Sequence, residues 1–292
     1  MNVGTQFFLA ALALVGGMAN ASAALIDLWD YTLNTAFTGV NTFTEESGTI
    51  TQDGKKLENG TQVSWGSPDP SVSVFDPPSS NVSLNRSGIT LATTGKGADN
   101  PPPAADMSGT FQTDDVRSVG LGTWITHHNK PISDTYIWLM TAQIATTLTL
   151  TPNNPPRPGQ QVSSTVDFTL YFAETLNKLP CTATSLKPCN DIIAVNAADV
   201  LNRSLTFEGI DYFVSTFPIV GTGLANFNPL TDAECREAGA NIGCFGFTTV
   251  EGEDTDIQLG FVITSQPVPE PTTFLLACAG LGVLILARRR RV

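Results

Sequence analysis

Positive charge is scarce in this chain. Of 292 residues, 15 are Lys or Arg against 27 Asp or Glu, a formal net charge of −12. Nucleic-acid binding rests on Lys and Arg neutralising phosphates, so no nucleic-acid partner is expected. Histidine is scarcer still: the only two, His127 and His128, are adjacent. There is no Gly-x-Ser-x-Gly elbow and no His-Glu-x-x-His helix, so two common hydrolase signatures are excluded. Helix-favouring runs are few, whereas Thr, Ser, Gly, Pro and Asn are plentiful. That balance fits strands joined by turns.

Alternation of apolar and polar residues carries the fold prediction. Val166, Phe168, Leu170 and Phe172 face one way across residues 162–172, as in a half-buried strand. Residues 136–150, rich in Ile, Leu and Thr, predict a strand central to a sheet. Short strands are expected at 57–65 (with a turn at Asn59 and Gly60), 72–75, 82–84, 89–91, 116–126, 192–195, 205–207 and 210–217. Residues 245–250 and 257–263 predict a closing hairpin, with Ile257, Leu259, Phe261 and Ile263 inward. One short helix is expected at 232–240, capped by Thr231 or Asp232. The fold class is all-β, an antiparallel β-sandwich of jelly-roll-like form.

Both ends of the chain read as addresses rather than fold. Residues 1–23 predict a signal peptide: an apolar stretch at 7–15 precedes Ala21, Ser22 and Ala23, an A-x-A-like cleavage site. Its amino-terminal region lacks Lys and Arg, a departure from the usual pattern. At the other end, residues 267–292 hold Pro269, Glu270 and Pro271, then an uncharged apolar run over 274–287, then Arg288, Arg289, Arg290 and Arg291. At ~1.5 Å per residue such a helix is about 21 Å long, short of the ~30 Å hydrocarbon core. The run predicts a short or temporary transmembrane helix, with the arginines favouring a cytoplasmic carboxy terminus. Between the two lies one β-sandwich domain, residues 24–266. Losing Glu270 and the four arginines removes a net three positive charges, so −12 becomes −15 in the processed domain.

The tail closely resembles the PEP-CTERM sorting signal of Gram-negative bacteria that make exopolysaccharide. Pro269, Glu270 and Pro271 match its recognition element residue by residue. The resemblance implies an exosortase-type sorting protease as partner, a transient inner-membrane intermediate, and delivery to the outer surface or extracellular matrix. Exopolysaccharide is a further candidate partner, although an acidic polymer would need bridging cations to meet so acidic a domain.

Cysteine usage agrees with export. Cys278 lies in the apolar tail, and the other four form two close pairs, Cys181 with Cys189 and Cys235 with Cys244. In an oxidising compartment sequential pairing closes two short loops, each worth ~2–3 kcal/mol in the chain-entropy view. Four cysteines permit three connectivities. A zinc site is the alternative, disfavoured by wide spacings and the lack of a nearby histidine.

The candidate site surrounds the histidines. Thr126, His127 and Asn129 resemble the motif that names the THxN family of PEP-CTERM proteins, with His128 at the variable position. Leu57, Asn59, Gly60, Thr61, Trp65 and Gly66 resemble that family's amino-terminal region. The resemblance implies a surface-sorted β-domain and no particular reaction. The residues themselves admit three roles: a structural turn, a metal or glycan site using one histidine with carboxylates, or a general base. Neighbouring residues on a strand point to opposite faces, so one histidine enters any given pocket, and His127 is favoured. Two acidic groups are weak calcium candidates: Glu251, Glu253, Asp254 and Asp256 in one turn, and Asp114 with Asp115. Neither has EF-hand spacing, and a solvated hairpin turn is the plainer reading of the first. No cofactor is expected beyond that candidate calcium. The leading functional expectation is a non-enzymatic role in biofilm or exopolysaccharide organisation. The alternatives are a carbohydrate- or metal-binding module and a secreted hydrolase centred on His127.

Overall fold

The computed structural model describes residues 24–44, 56–58, 60–95, 105–115, 117–175, 190–219 and 228–268. The expected signal peptide, the transmembrane sorting helix with its Pro-Glu-Pro element and arginines, and the Cys181–Cys189 pair lie outside these residues. Among the described residues no helix is long and apolar enough to cross a membrane.

The described residues form fourteen strands. In chain order they are β1 (Leu28–Phe43), β2 (Lys56–Glu58), β3 (Gln62–Gly66), β4 (Arg86–Ala92), β5 (Ala105–Gln112), β6 (Gly120–His128) and β7 (Leu139–Asn154). There follow β8 (Val162–Ala173), β9 (Asp191–Val195), β10 (Arg203–Phe207), β11 (Ile210–Ile219), β12 (Asn228–Pro229), β13 (Phe245–Thr249) and β14 (Asp254–Thr264). Two short helices, α1 (Ala197–Val200) and α2 (Asp232–Glu237), sit between strands. All strand pairings are antiparallel, in two sheets of seven: β12-β13-β9-β8-β7-β1-β5 and β10-β11-β14-β6-β4-β3-β2. This is the expected all-β class with two antiparallel sheets, larger than the roughly eight strands of a jelly roll.

Alternation explains the inward faces. In β8, Val166, Phe168, Leu170 and Phe172 are buried as expected. In β1, Trp29, Tyr31, Leu33, Thr35 and Phe37 are buried in the same two-residue period. The core divides along the sandwich. One end packs Trp29, Phe111, Tyr212 and Phe261; the other packs Trp65, Ile89, Ile125, Phe168 and Phe172. Trp29 meets both Phe207 and Tyr212 edge-on at about 5.4 and 5.3 Å, the arrangement that opposes ring edges to ring faces.

Several expectations need correction. Strands β1 and β5 add to the expected ones: β1 pairs with β5 on one side and β7 on the other. Residues 72–75 are not a strand, and Val82–Leu84 is a 3-10 turn capped by the Asn81 side chain. Ser and Asn side chains here bond nearby backbone N–H groups and displace ladder pairing: Ser67 to Asp69, Ser73 to Phe75, Ser79 to Asn81. Residues 245–263 are not a hairpin. β13 pairs with β9 in one sheet and β14 with β6 and β11 in the other, so the acidic turn crosses between sheets. Helix α2 is where expected, with Thr231 and Glu234 forming a reciprocal capping box. Cys235 and Cys244 are disulfide-bonded, with Cα atoms 5.8 Å apart.

Candidate functional site

β6 lies inside its sheet, with β4 on one flank and β14 on the other. His127 is opposite Ile89 and Thr255, and His128 is opposite Gly88 and Asp254. A central strand covered on both faces leaves both rings without solvent exposure.

Thr126 and His128 point to the outer face. That face is covered by the segment linking β3 to β4, residues 67–85. Phe75 meets the His128 ring at 4.9 Å, and Val74 is fully buried. Gly88 permits this cover, since a Cβ there would lie 2.7 Å from Val74 Cγ1. Thr126 Oγ1 donates to Asp256 Oδ1 at 2.7 Å. His128 Nε2 bonds Thr90 Oγ1 at 3.1 Å, and its Nδ1 is within ion-pair distance of Asp254 Oδ1, also 3.1 Å. The Lys130 ammonium donates to the same oxygen at 3.4 Å. Burial alone would raise the Asp254 pKa, but His128 and Lys130 outweigh it and hold the carboxyl below its ordinary value.

His127 and Asn129 point inward. Trp65 stacks on the His127 ring at 5.9 Å and 19°, and Phe172 meets the ring edge-on at 5.2 Å. His127 Nδ1 is 2.9 Å from Thr249 Oγ1, which also accepts from Asn129 Nδ2 at 3.2 Å. With one hydroxyl oxygen receiving the Asn129 amide, its own hydrogen is available to His127 Nδ1. Burial lowers the His127 pKa to about 3, and neighbouring His128 and Lys130 add to it against the opposing pull of Asp254. The ring is therefore neutral at physiological pH.

Beyond this network lie three carboxylates that sequence spacing does not connect. Glu174 follows β8, Asp191 opens β9, and Glu251 sits in the crossing from β13 to β14. One oxygen from each falls within 4.8 Å of the others. The β9–β13 register sets Asp191 opposite Thr249, beside the inner face of β6. Asp191 is fully buried, and its Oδ1 accepts from the Thr175 backbone N–H at 2.9 Å and the Thr175 hydroxyl at 3.2 Å. Trp65 Nε1 donates to Glu174 Oε2 at 3.1 Å, joining the histidine stack to the acids.

The electrostatics of this trio are adverse. Two charges 4.8 Å apart repel by ~3.5 kcal/mol at an effective dielectric of about 20. Burial pushes Glu174 well above the ordinary carboxylate range, and the charges of Asp191 and Glu251 push it further. Burial also raises Asp191 well above its usual value, with the charge of Glu251 adding to it, against the hydrogen bonds from Thr175. Carboxylates brought this close are relieved by holding protons, by pairing with a basic group or by sharing a metal cation.

The candidate residues thus separate. Thr126 faces outward, while His127 and Asn129 face the acid trio. Of the four acids in the turn, Glu251 joins that trio, Asp254 pairs with His128 and Lys130, Asp256 accepts from Thr126, and Glu253 is exposed. Among the described residues these four do not form one ligand group. Asp114 accepts from Ser265, and Asp115 pairs with Arg117. Sequence reasoning missed Glu174, Asp191, Thr249 and the site role of Trp65. Asp191 did carry a signal: it abuts the apolar run Ile192, Ile193, Ala194 and Val195, where a charge is costly. Among the described residues no Phe, Tyr or Trp is among the exposed large apolar side chains.

Residues 267–291 match the PEP-CTERM protein-sorting motif. The chain therefore carries a PEP-CTERM sorting signal, which implies export and exosortase-dependent sorting to the envelope or extracellular matrix through a membrane-anchored intermediate. No curated protein sequence matches the chain.

Proposed function

We propose that this is an exported, non-enzymatic protein whose β-sandwich serves the biofilm or exopolysaccharide matrix after its sorting tail is removed. The carrying observation is the boundary between fold and signal. The Asn202 side chain holds the backbone of Val268, accepting from its N–H at 2.8 Å and donating to its carbonyl at 2.9 Å. The sandwich is thus tied off one residue before Pro269, Glu270 and Pro271, and cleavage there would leave its hydrogen bonding intact. A scaffold role also accords with the sealed, neutral state of His127, which no substrate reaches without opening the Trp65–Phe172 packing.

Mass spectrometry of the protein recovered from the surface or matrix of its native host tests the reading. The expected carboxy terminus falls near residues 267–271. Recovery of a chain that still ends in Arg288, Arg289, Arg290, Arg291 and Val292 would replace the released scaffold by a membrane-anchored one.

A further inference from the structure

We propose that Glu174, Asp191 and Glu251 form a binding site for a hard divalent cation, calcium in the first instance, that locks the crossing between the two sheets. The proposal is independent of the sorting tail. Three carboxylate oxygens converge within 4.8 Å. Two oxygens at the site point to a ligand. Asp191 Oδ1 is saturated by Thr175, yet Oδ2 of this fully buried residue receives no hydrogen bond from any described residue. Oδ1 of Asn129, also fully buried, is likewise without a donor among the described residues, while its Nδ2 donates to Thr249 Oγ1, on the residue paired with Asp191. Native proteins rarely leave such atoms unmatched.

The chemistry of the donors selects the ion. They are oxygens, three of them carboxylate, and His127 does not join the ligand group. Calcium takes six to eight such oxygens in flexible geometry, whereas zinc prefers nitrogen or sulfur and fewer ligands. The position supplies the consequence. Glu174 and Asp191 belong to the end of β8 and the start of β9, and Glu251 to the segment leaving β13 for the opposite sheet. An ion among them would join three separate segments and remove the repulsion that otherwise loosens this end of the sandwich. Extracellular modules bind calcium at ~0.1–1 mM, so an exported chain would acquire the ion where calcium is abundant.

The test is calcium titration into the EDTA-treated full chain at pH 7 by calorimetry, with thermal melting in parallel and ionic strength matched by NaCl. One saturable ion per chain is expected, with a midpoint at or below ~1 mM. The melting temperature should rise with the logarithm of calcium concentration, as mass action requires. Asp191→Asn should abolish both effects while melting in EDTA at or above the parent, because it removes a repelling charge. Should Asp191→Asn not fold, Glu251→Gln, on the partly exposed crossing, provides the same comparison, and Glu253→Gln on the exposed turn should bind as the parent does. Magnesium in place of calcium should bind more weakly, given its demand for rigid octahedral geometry. Two results would overturn the proposal: saturable binding that survives both acid-to-amide changes, or no binding at pH 7, which with stabilisation on acidification would assign the trio to shared protons.

Discussion

His127 and His128 are neighbours on β6, equally buried, and chemically opposite. His128 shares its outer face with an acid, Asp254, and a cation, Lys130, so charge on this face is matched nearby. His127 sits among Trp65, Phe172 and Thr249, with three converging acids beyond it. A strand's two faces can therefore hold two different electrostatic environments a single residue apart, an acid beside a cation on one and converging acids beyond the other. The outer face is closed by an irregular strap, and the inner one by the sheet crossing.

The sharpest way to break the contrast is to remove the residue that joins the histidine to the acids. Trp65→Ala deletes a fully buried ring together with the donor to Glu174, and should cost ~3–5 kcal/mol in urea unfolding. A loss below 1 kcal/mol would show that the inner face does not depend on this stack.

Acidification separates the two histidines more finely. The unfolded His127 imidazole protonates near its ordinary 6.5, the folded one only at about 3. Between those values the unfolded state binds more protons, so stability falls as pH falls, by ~1.4 kcal/mol per pH unit. From pH 6.5 to pH 5 this contribution is about 2 kcal/mol. The raised pKa values of Glu174 and Asp191 act with the opposite sign, favouring the folded state as pH falls towards the unfolded carboxylate range, and so partly mask it. Comparison of the parent with His127→Gln over pH 7 to 4 isolates the histidine, because both chains carry the acids. Parallel pH profiles for the two proteins would refute the sealed, neutral assignment.

The smallest effect belongs to the outer face. Asp254→Asn should cost ~1 kcal/mol at pH 7, since Asp254 is about a third exposed and its pairs are screened. The folded Asp254 pKa is lowered, so its contribution is present above the unfolded value of about 3.9 and disappears as pH falls through the folded one. Denaturant melts of both chains at pH 7 and pH 3 should therefore differ at the first and converge towards the second. A loss equal to that of Trp65→Ala would erase the distinction between the faces.

Much of the fold was legible because β-sandwich strands write a two-residue period into the chain, as in Val166, Phe168, Leu170 and Phe172. The same period runs through Trp29, Tyr31, Leu33, Thr35 and Phe37, so β1 is equally legible in the chain. The strap from 67 to 85 misled for a local reason: its short apolar triplets resemble strands, while serine and asparagine side chains take the backbone donors. Of the site, the segregation of His127 from His128 follows from alternation alone. The pairing of His127 and Asn129 through Thr249 does not, because the bonds span 122 and 120 residues.

By itself the sequence determined the all-β class, the acidic character, the Cys235–Cys244 neighbourhood and the sorting motif. Each is written in local spacing or bulk composition, and needs no knowledge of distant contacts. Only the tertiary structure decided that Glu251 faces inward while Asp254 faces the His128 side. Both lie in one acidic turn, and what separates them is that the turn crosses from one sheet to the other. It alone brought Glu174, Asp191 and Glu251 together, since strand pairing across the sandwich, and no sequence period, sets those distances.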